Sequence, residues 1–121
     1  MRSTRSRWSS YGWYWQRISG LLLVVFTIGH YVTVHWTEAA GHSFESSIER
    51  LANPLFQFWY LGFVLLGFYH GVQGLYNIVR DFKLPRVLLV GIMGIVIIAA
   101  LYFVYLGFDT VLTVHEWKHL P

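Results

Sequence analysis

Apolar residues run almost unbroken through three stretches, residues 18–36, 55–79 and 84–108. A hydrocarbon core about 30 Å thick takes about 20 residues of helix to cross. Each stretch therefore predicts a membrane-spanning helix, with bounds of about 14–36, 54–81 and 84–109. The break at residues 37–53 carries Glu38, Glu45, Glu49 and Arg50. Within it Phe44, Ile48 and Leu51 recur at helical spacing, which allows a short amphipathic helix. Pro54 suits the first turn of the second long helix, and residues 81–85 form a tight turn. The first stretch does not read as a cleaved secretory signal, because its apolar run is too long and no small-residue cleavage site follows. Aromatic residues flank it instead: Trp8, Trp13, Tyr14 and Trp15 before it, and Trp36 after it, the belt expected at a headgroup boundary. The expected fold is all-α: a single domain over residues 1–121, an integral membrane protein with three transmembrane helices.

Composition and charge sharpen this picture. Of 121 residues, 55% are hydrophobic and only 12% charged, about half the charge of a typical soluble domain. The net charge of +3 does not point to nucleic acid, because the basic residues form no soluble face. Arg2, Arg5, Arg7 and Arg17 precede the first apolar run, and Arg80, Lys83 and Arg86 bracket the second break. That makes seven basic residues on one side of the predicted membrane against two, Arg50 and Lys118, on the other. The positive-inside rule then sets the N-terminus in the cytoplasm and the C-terminus outside. No cysteine is present, which excludes disulfides, thiolate metal sites and c-type haem attachment within the chain.

Ionisable groups inside a membrane span are costly and usually functional. The third stretch has no Asp, Glu, Lys, Arg or His between Arg86 and Asp109 and reads as a packing helix, with Gly91 and Gly94 permitting close contact. The first two stretches hold His30 and His70 deep inside, while His35 lies near the outer interface and His42, His115 and His119 reach water. Each deep histidine, taken alone, is equally well explained as a hydrogen-bonding residue between helices. Neutral imidazole is also a common axial ligand of haem iron. Gly29 beside His30, and Gly71 and Gly74 after His70, leave room for a flat group. Paired helices sit about 8–10 Å apart, which is tight for one haem between His30 and His70 and favours a ligand from another chain for each histidine. A second constellation lies at the cytoplasmic end, where Arg17 and Ser19 open the first helix and Arg80 and Asp81 close the second. With a rise of about 1.5 Å per residue, His70 stands roughly 16 Å above Asp81 and His30 roughly 20 Å above Arg17.

The ordered motifs "QRISG" (16–20), "GH" with His30 thirteen residues after Arg17, and His70-Gly71-x-x-Gly74-Leu75 followed by Asp81-Phe82 resemble the membrane-anchor subunits of succinate:quinone oxidoreductase (complex II) and fumarate reductase. The likeness covers about residues 13–86. It implies an anchor of a larger enzyme, itself non-catalytic, in the inner or cytoplasmic membrane. It implies docking of a flavoprotein and an iron–sulfur subunit, pairing with a second anchor in a shared bundle, and passage of electrons to quinone. By the same likeness His70 is an axial ligand of haem b and His30 the ligand of a second haem, each completed by the sister anchor. Arg17 stands where the family has a residue near the haem propionates and the quinone, and Asp81 matches a quinone-site acid; by their own chemistry Ser19 and Asp81 can bond a quinone's oxygens or pass protons. Phe82 departs from the pattern, which has a tyrosine there, and Gln16 stands where one anchor type often has histidine, a leaning toward the D-type anchor. A haem-free scaffold and an unrelated b-type cytochrome stay open as alternatives.

Overall fold

The computed structural model describes residues 5–37 and 43–117, with side chains from residue 10 onward. Arg2, Glu38, His42, Lys118 and His119, and the side chains of Arg5, Arg7 and Trp8, lie outside the described residues. Four helices follow in order: α1 Arg5–Trp36, α2 Phe44–Ala52, α3 Pro54–Asp81 and α4 Arg86–Trp117. Strands are absent among the described residues. Three helices are long and apolar enough to span a bilayer, over Ser10–Trp36, Pro54–Asp81 and Arg86–Trp117. The protein is an all-α, multi-pass membrane protein.

Local chemistry sets the helix ends. Ser43 caps α2 by accepting the Ser46 amide on Oγ at 3.1 Å. Asn53 serves two helices: its amide bonds Arg50 O at 3.1 Å to close α2, and its Oδ1 accepts the Leu55 amide at 2.9 Å to open α3. Pro54 then stands in the first turn, where its missing N–H costs nothing. Beyond Asp81 the chain turns through Lys83, whose φ of 52° lies in the left-handed region, and Lys83 N closes on Arg80 O at 3.1 Å.

Two helices outrun their expected lengths. α1 begins at Arg5 rather than near residue 14, since no proline interrupts residues 5–14. α4 continues to Trp117 rather than stopping near residue 109. Its polar continuation satisfies itself: Thr110 Oγ1 donates to Leu106 O at 2.8 Å and Thr113 Oγ1 to Asp109 O at 2.7 Å. It also buries Val111 and Val114 where α2 packs on α4, which is the partner that the amphipathic α2 requires.

α3 is the centre of the assembly. α1 packs on one side of it and α4 on the other, and α1 and α4 do not meet among the described residues. α2 packs against both α3 and α4. Glycines on either helix admit large side chains from the other along the α1–α3 contact: Gly74 meets Gln16, Gly20 meets His70, Gly62 meets Phe26 and Gly29 meets Trp59. The result is an open layer of helices with little core of its own. Ile48, Met93, Val111 and Val114 are the apolar residues buried among those described, while Leu21, Val25, Ile28, Ile95, Ile98 and Leu101 on the long helices stay exposed.

Candidate functional site

His70 projects from the middle of α3 into the α1 contact. Its Nδ1 lies 3.0 Å from Ser19 Oγ, and Ser19 is almost fully buried. Ser19 Oγ also donates to Gln16 O at 3.1 Å. Gln16 Nε2 donates to the His70 carbonyl at 3.3 Å. Gln16, Ser19 and Gly20 recur at helical i, i+3, i+4 spacing, so one face of α1 holds both the ring and the main chain of His70. A Cβ at Gly20 would lie 3.0 Å from His70 Cε1, so the absent side chain is what lets the ring lie against α1. No hydrogen bond reaches His70 Nε2 among the described residues.

The glycine expectations change here. Gly74 was expected to clear space for a flat group; in the structure Gln16 Nε2 fills that space, 3.0 Å from where a Cβ would sit. Gly71 has open space beside it and lines a groove between α3 and α4. Gly29 beside His30 is not open either: the Trp59 indole occupies it, with Cζ2 2.7 Å from a would-be Cβ.

Toward the basic end, α1 and α3 enclose a cavity of about 970 Å³. Its walls include Gln16 and Arg17 from α1, and Gln73, Tyr76, Asn77 and Arg80 from α3. The Arg17 guanidinium lies 3.8 Å above the Trp13 ring, and that of Arg80 5.6 Å from the Tyr76 ring. Both distances fit cation–π contact. Among the described residues no acidic side chain lines the cavity, and the two positive charges of Arg17 and Arg80 face it. Gln16 Oε1 is buried with no hydrogen-bond partner. Such a space favours an electron-rich oxygen, such as a carbonyl or a carboxylate.

Asp81 is exposed at the end of α3 and is not part of this wall. The helix register explains why. Ser19 is level with His70, and Gln16 with Gly74, so Arg17 stands beside residues 70–74, roughly 10 Å or more along the axis from Asp81. Arg17 and Ser19 are therefore brought to His70, closer than their place at the helix opening implied, while Asp81 is kept apart from all three. The residues missed by sequence reasoning are Gln73, Tyr76 and Asn77. Their signal was present: with Arg80 they form a polar stripe at spacings of three and four in an otherwise apolar helix.

His30 lies in the half of α1 that ends at Trp36. Its ring stands 5.7 Å from that of Tyr60 and 5.8 Å from that of Phe63 on α3. His30 Nδ1 is buried without a hydrogen-bond partner. His30 also borders a cavity of about 420 Å³, with Tyr60, Thr110 and Arg50 among its walls. Arg50 is buried on α2 and donates to Ser47 Oγ at 3.3 Å. Among the described residues no group of three His, Cys, Asp or Glu side chains converges. A bare metal ion therefore finds no ligand cluster, whereas a haem iron asks only one nitrogen of a given chain.

Residues 2–108 match the family described as succinate dehydrogenase/fumarate reductase transmembrane subunit. The chain is also similar to the succinate dehydrogenase hydrophobic membrane anchor subunit of Archaeoglobus fulgidus, with 30% identity over 81 residues, which is 67% of this chain and 69% of that relative. The match takes in α1, α2, α3 and most of α4, and with them both deep histidines and the arginine-lined cavity, so this chain belongs to the succinate dehydrogenase/fumarate reductase transmembrane subunit family.

Proposed function

We propose that the chain is a haem b-binding membrane anchor that serves electron passage in succinate:quinone oxidoreductase: itself non-catalytic, it holds haem through His70 and forms part of a quinone pocket. The observation that carries this reading is His70 itself. It is a half-buried imidazole inside a membrane span, fixed on one nitrogen by Ser19 and carrying no hydrogen bond on the other among the described residues. That donor set fits haem iron, since a ligating histidine is normally oriented by a hydrogen bond on its second nitrogen. When bound, the haem supplies one-electron transfer.

His30 serves a second haem in this reading. It lies eleven residues beyond Ser19 on α1, roughly 16 Å along the axis, so the two histidines of this chain act on separate irons. Each histidine would hold its haem together with a residue of a sister anchor, seated on the part of α1 that α4 leaves open. For His30 a structural role has an observation in its favour as well: Trp59 fills Gly29, and Tyr60 and Phe63 flank the ring.

The quinone head group occupies the 970 Å³ cavity. Arg17 donates to a quinone oxygen or a haem propionate, Tyr76 supplies the hydroxyl that Phe82 lacks, and the unpartnered Gln16 Oε1 accepts from the reduced product. Asp81, exposed beyond the cavity, exchanges protons with water. The flavoprotein and iron–sulfur subunits dock at this basic end, on the cytoplasmic side of the cytoplasmic or inner membrane, and dicarboxylate oxidation takes place in the flavoprotein. The test is to purify the complex through a tag on this chain, identify the accompanying subunits and record a reduced-minus-oxidised spectrum. A flavoprotein, an iron–sulfur protein, a second anchor and a b-type α-band are expected. A haem-free preparation would leave the scaffold alternative standing, and a b-type band without the soluble subunits would favour a separate cytochrome.

A further inference from the structure

We infer that Ser19 is a positioning residue for the haem iron: its hydroxyl oxygen accepts a hydrogen bond from His70 Nδ1–H, which keeps the ring proton on Nδ1 and leaves Nε2 unprotonated for the metal. This rests on the haem reading of His70, and it gives Ser19 a part in setting the iron's potential rather than in touching quinone.

The assignment follows from counting donors. A serine hydroxyl has one proton and two lone pairs. Ser19 Oγ lies 3.1 Å from the Gln16 carbonyl and 3.0 Å from His70 Nδ1. A carbonyl oxygen only accepts, so the hydroxyl proton goes to Gln16 O. A lone pair of Oγ then faces Nδ1, and the imidazole proton belongs on that nitrogen. The other tautomer would strip the Gln16 bond and place a proton on Nε2, where no acceptor stands among the described residues. An unmet donor inside a bilayer is costly; an unprotonated Nε2 is what an iron ligand requires. Two further contacts keep the ring in place. Gly20 lets it lie against α1, and Gln16 Nε2 holds the His70 main chain at 3.3 Å.

A neutral hydroxyl acceptor makes the imidazole somewhat more basic without ionising it, and a more basic ligand favours ferric over ferrous iron. Removing the acceptor should therefore raise the midpoint potential of this haem. The experiment is a potentiometric titration of the purified complex, with electron paramagnetic resonance of the low-spin ferric signal, in wild type, His70→Ala, Ser19→Ala and Ser19→Thr. The haem signal lost in His70→Ala should move to a higher midpoint with altered g values in Ser19→Ala. It should return to wild-type behaviour in Ser19→Thr, which restores the hydroxyl, and the other haem should not move. Loss of the His70 haem in Ser19→Ala with retention in Ser19→Thr carries the inference equally, because a ring without its acceptor turns away. Unchanged midpoint and g values in Ser19→Ala, with or without a raised KM for quinone, overturn it. If His70→Ala removes a haem that Ser19→Ala leaves untouched, this inference fails alone. If wild type holds no haem, the haem reading fails and this inference with it.

Discussion

Gly20 and Gly29 each admit an aromatic ring from α3, but only one of those rings is a histidine. A Cβ at Gly29 would lie 2.7 Å from Trp59 Cζ2 and 3.2 Å from Cη2, so Gly29→Ala forces the α1–α3 contact apart at a rigid indole. Overpacking of that kind costs about 1–3 kcal/mol and should lower the thermal midpoint of the purified complex. Gly71→Ala, with nothing within 4 Å of the added carbon, should leave the midpoint where it is. Sequence alone could flag glycines near histidines; it could not say which ring each glycine receives, because that depends on the register of α1 against α3. The same holds for the cavity. Arg17 was legible as a charged residue at a helix opening, but its distance from Asp81 was not, since α1 begins well before the apolar run that announces it. In quinone-reductase assays Arg17→Ala should raise KM for quinone by roughly 10- to 100-fold, the loss of a charge-assisted hydrogen bond of about 1.5–3 kcal/mol. Asp81→Asn should keep the haems and have the smaller effect, because its carboxylate does not line the cavity.

Among the elements, α3 was the most legible. Its expected bounds of 54–81 coincide with Pro54–Asp81, since both ends carry turn chemistry: Asn53-Pro54 at one and a tight reversal at the other. α2 was legible from Phe44, Ile48 and Leu51 at helical spacing. The far ends of α1 and α4 were not, because polar residues continue a helix when tertiary contacts accept them, as Val111 and Val114 are accepted beside α2. The turn between α3 and α4 carries a measurable cost. Lys83 adopts a φ of 52°, in the left-handed region where a side chain costs about 1–2 kcal/mol relative to glycine. Lys83→Gly should raise the thermal midpoint of the complex by the equivalent of about 1 kcal/mol, provided that the loss of one basic charge leaves the orientation in the membrane unchanged. An unchanged or lowered midpoint would argue that the lysine side chain makes a compensating contact with lipid headgroups or a neighbouring subunit.

At the scale of the whole molecule the chain is an open row of helices, α1–α3–α4, with α2 packed against α3 and α4. The apolar surface of the long helices can be covered only by lipid or by another subunit, as the family membership leads one to expect. Orientation rests on seven basic residues against two, of which Arg80, Lys83 and Arg86 cluster where α3 turns into α4. A Ser3→Cys variant should label from the cytoplasmic side of intact cells or vesicles; labelling only from the opposite side would invert the topology and separate the arginine-lined cavity from the soluble subunits. The central claim, that His70 holds a haem, is tested most directly by the haem-to-flavin ratio of purified wild-type and His70→Ala complexes, read from the reduced-minus-oxidised b-type band. The account predicts that His70→Ala loses one haem per flavin while the subunits still assemble. An unchanged ratio in an assembled His70→Ala complex would contradict it.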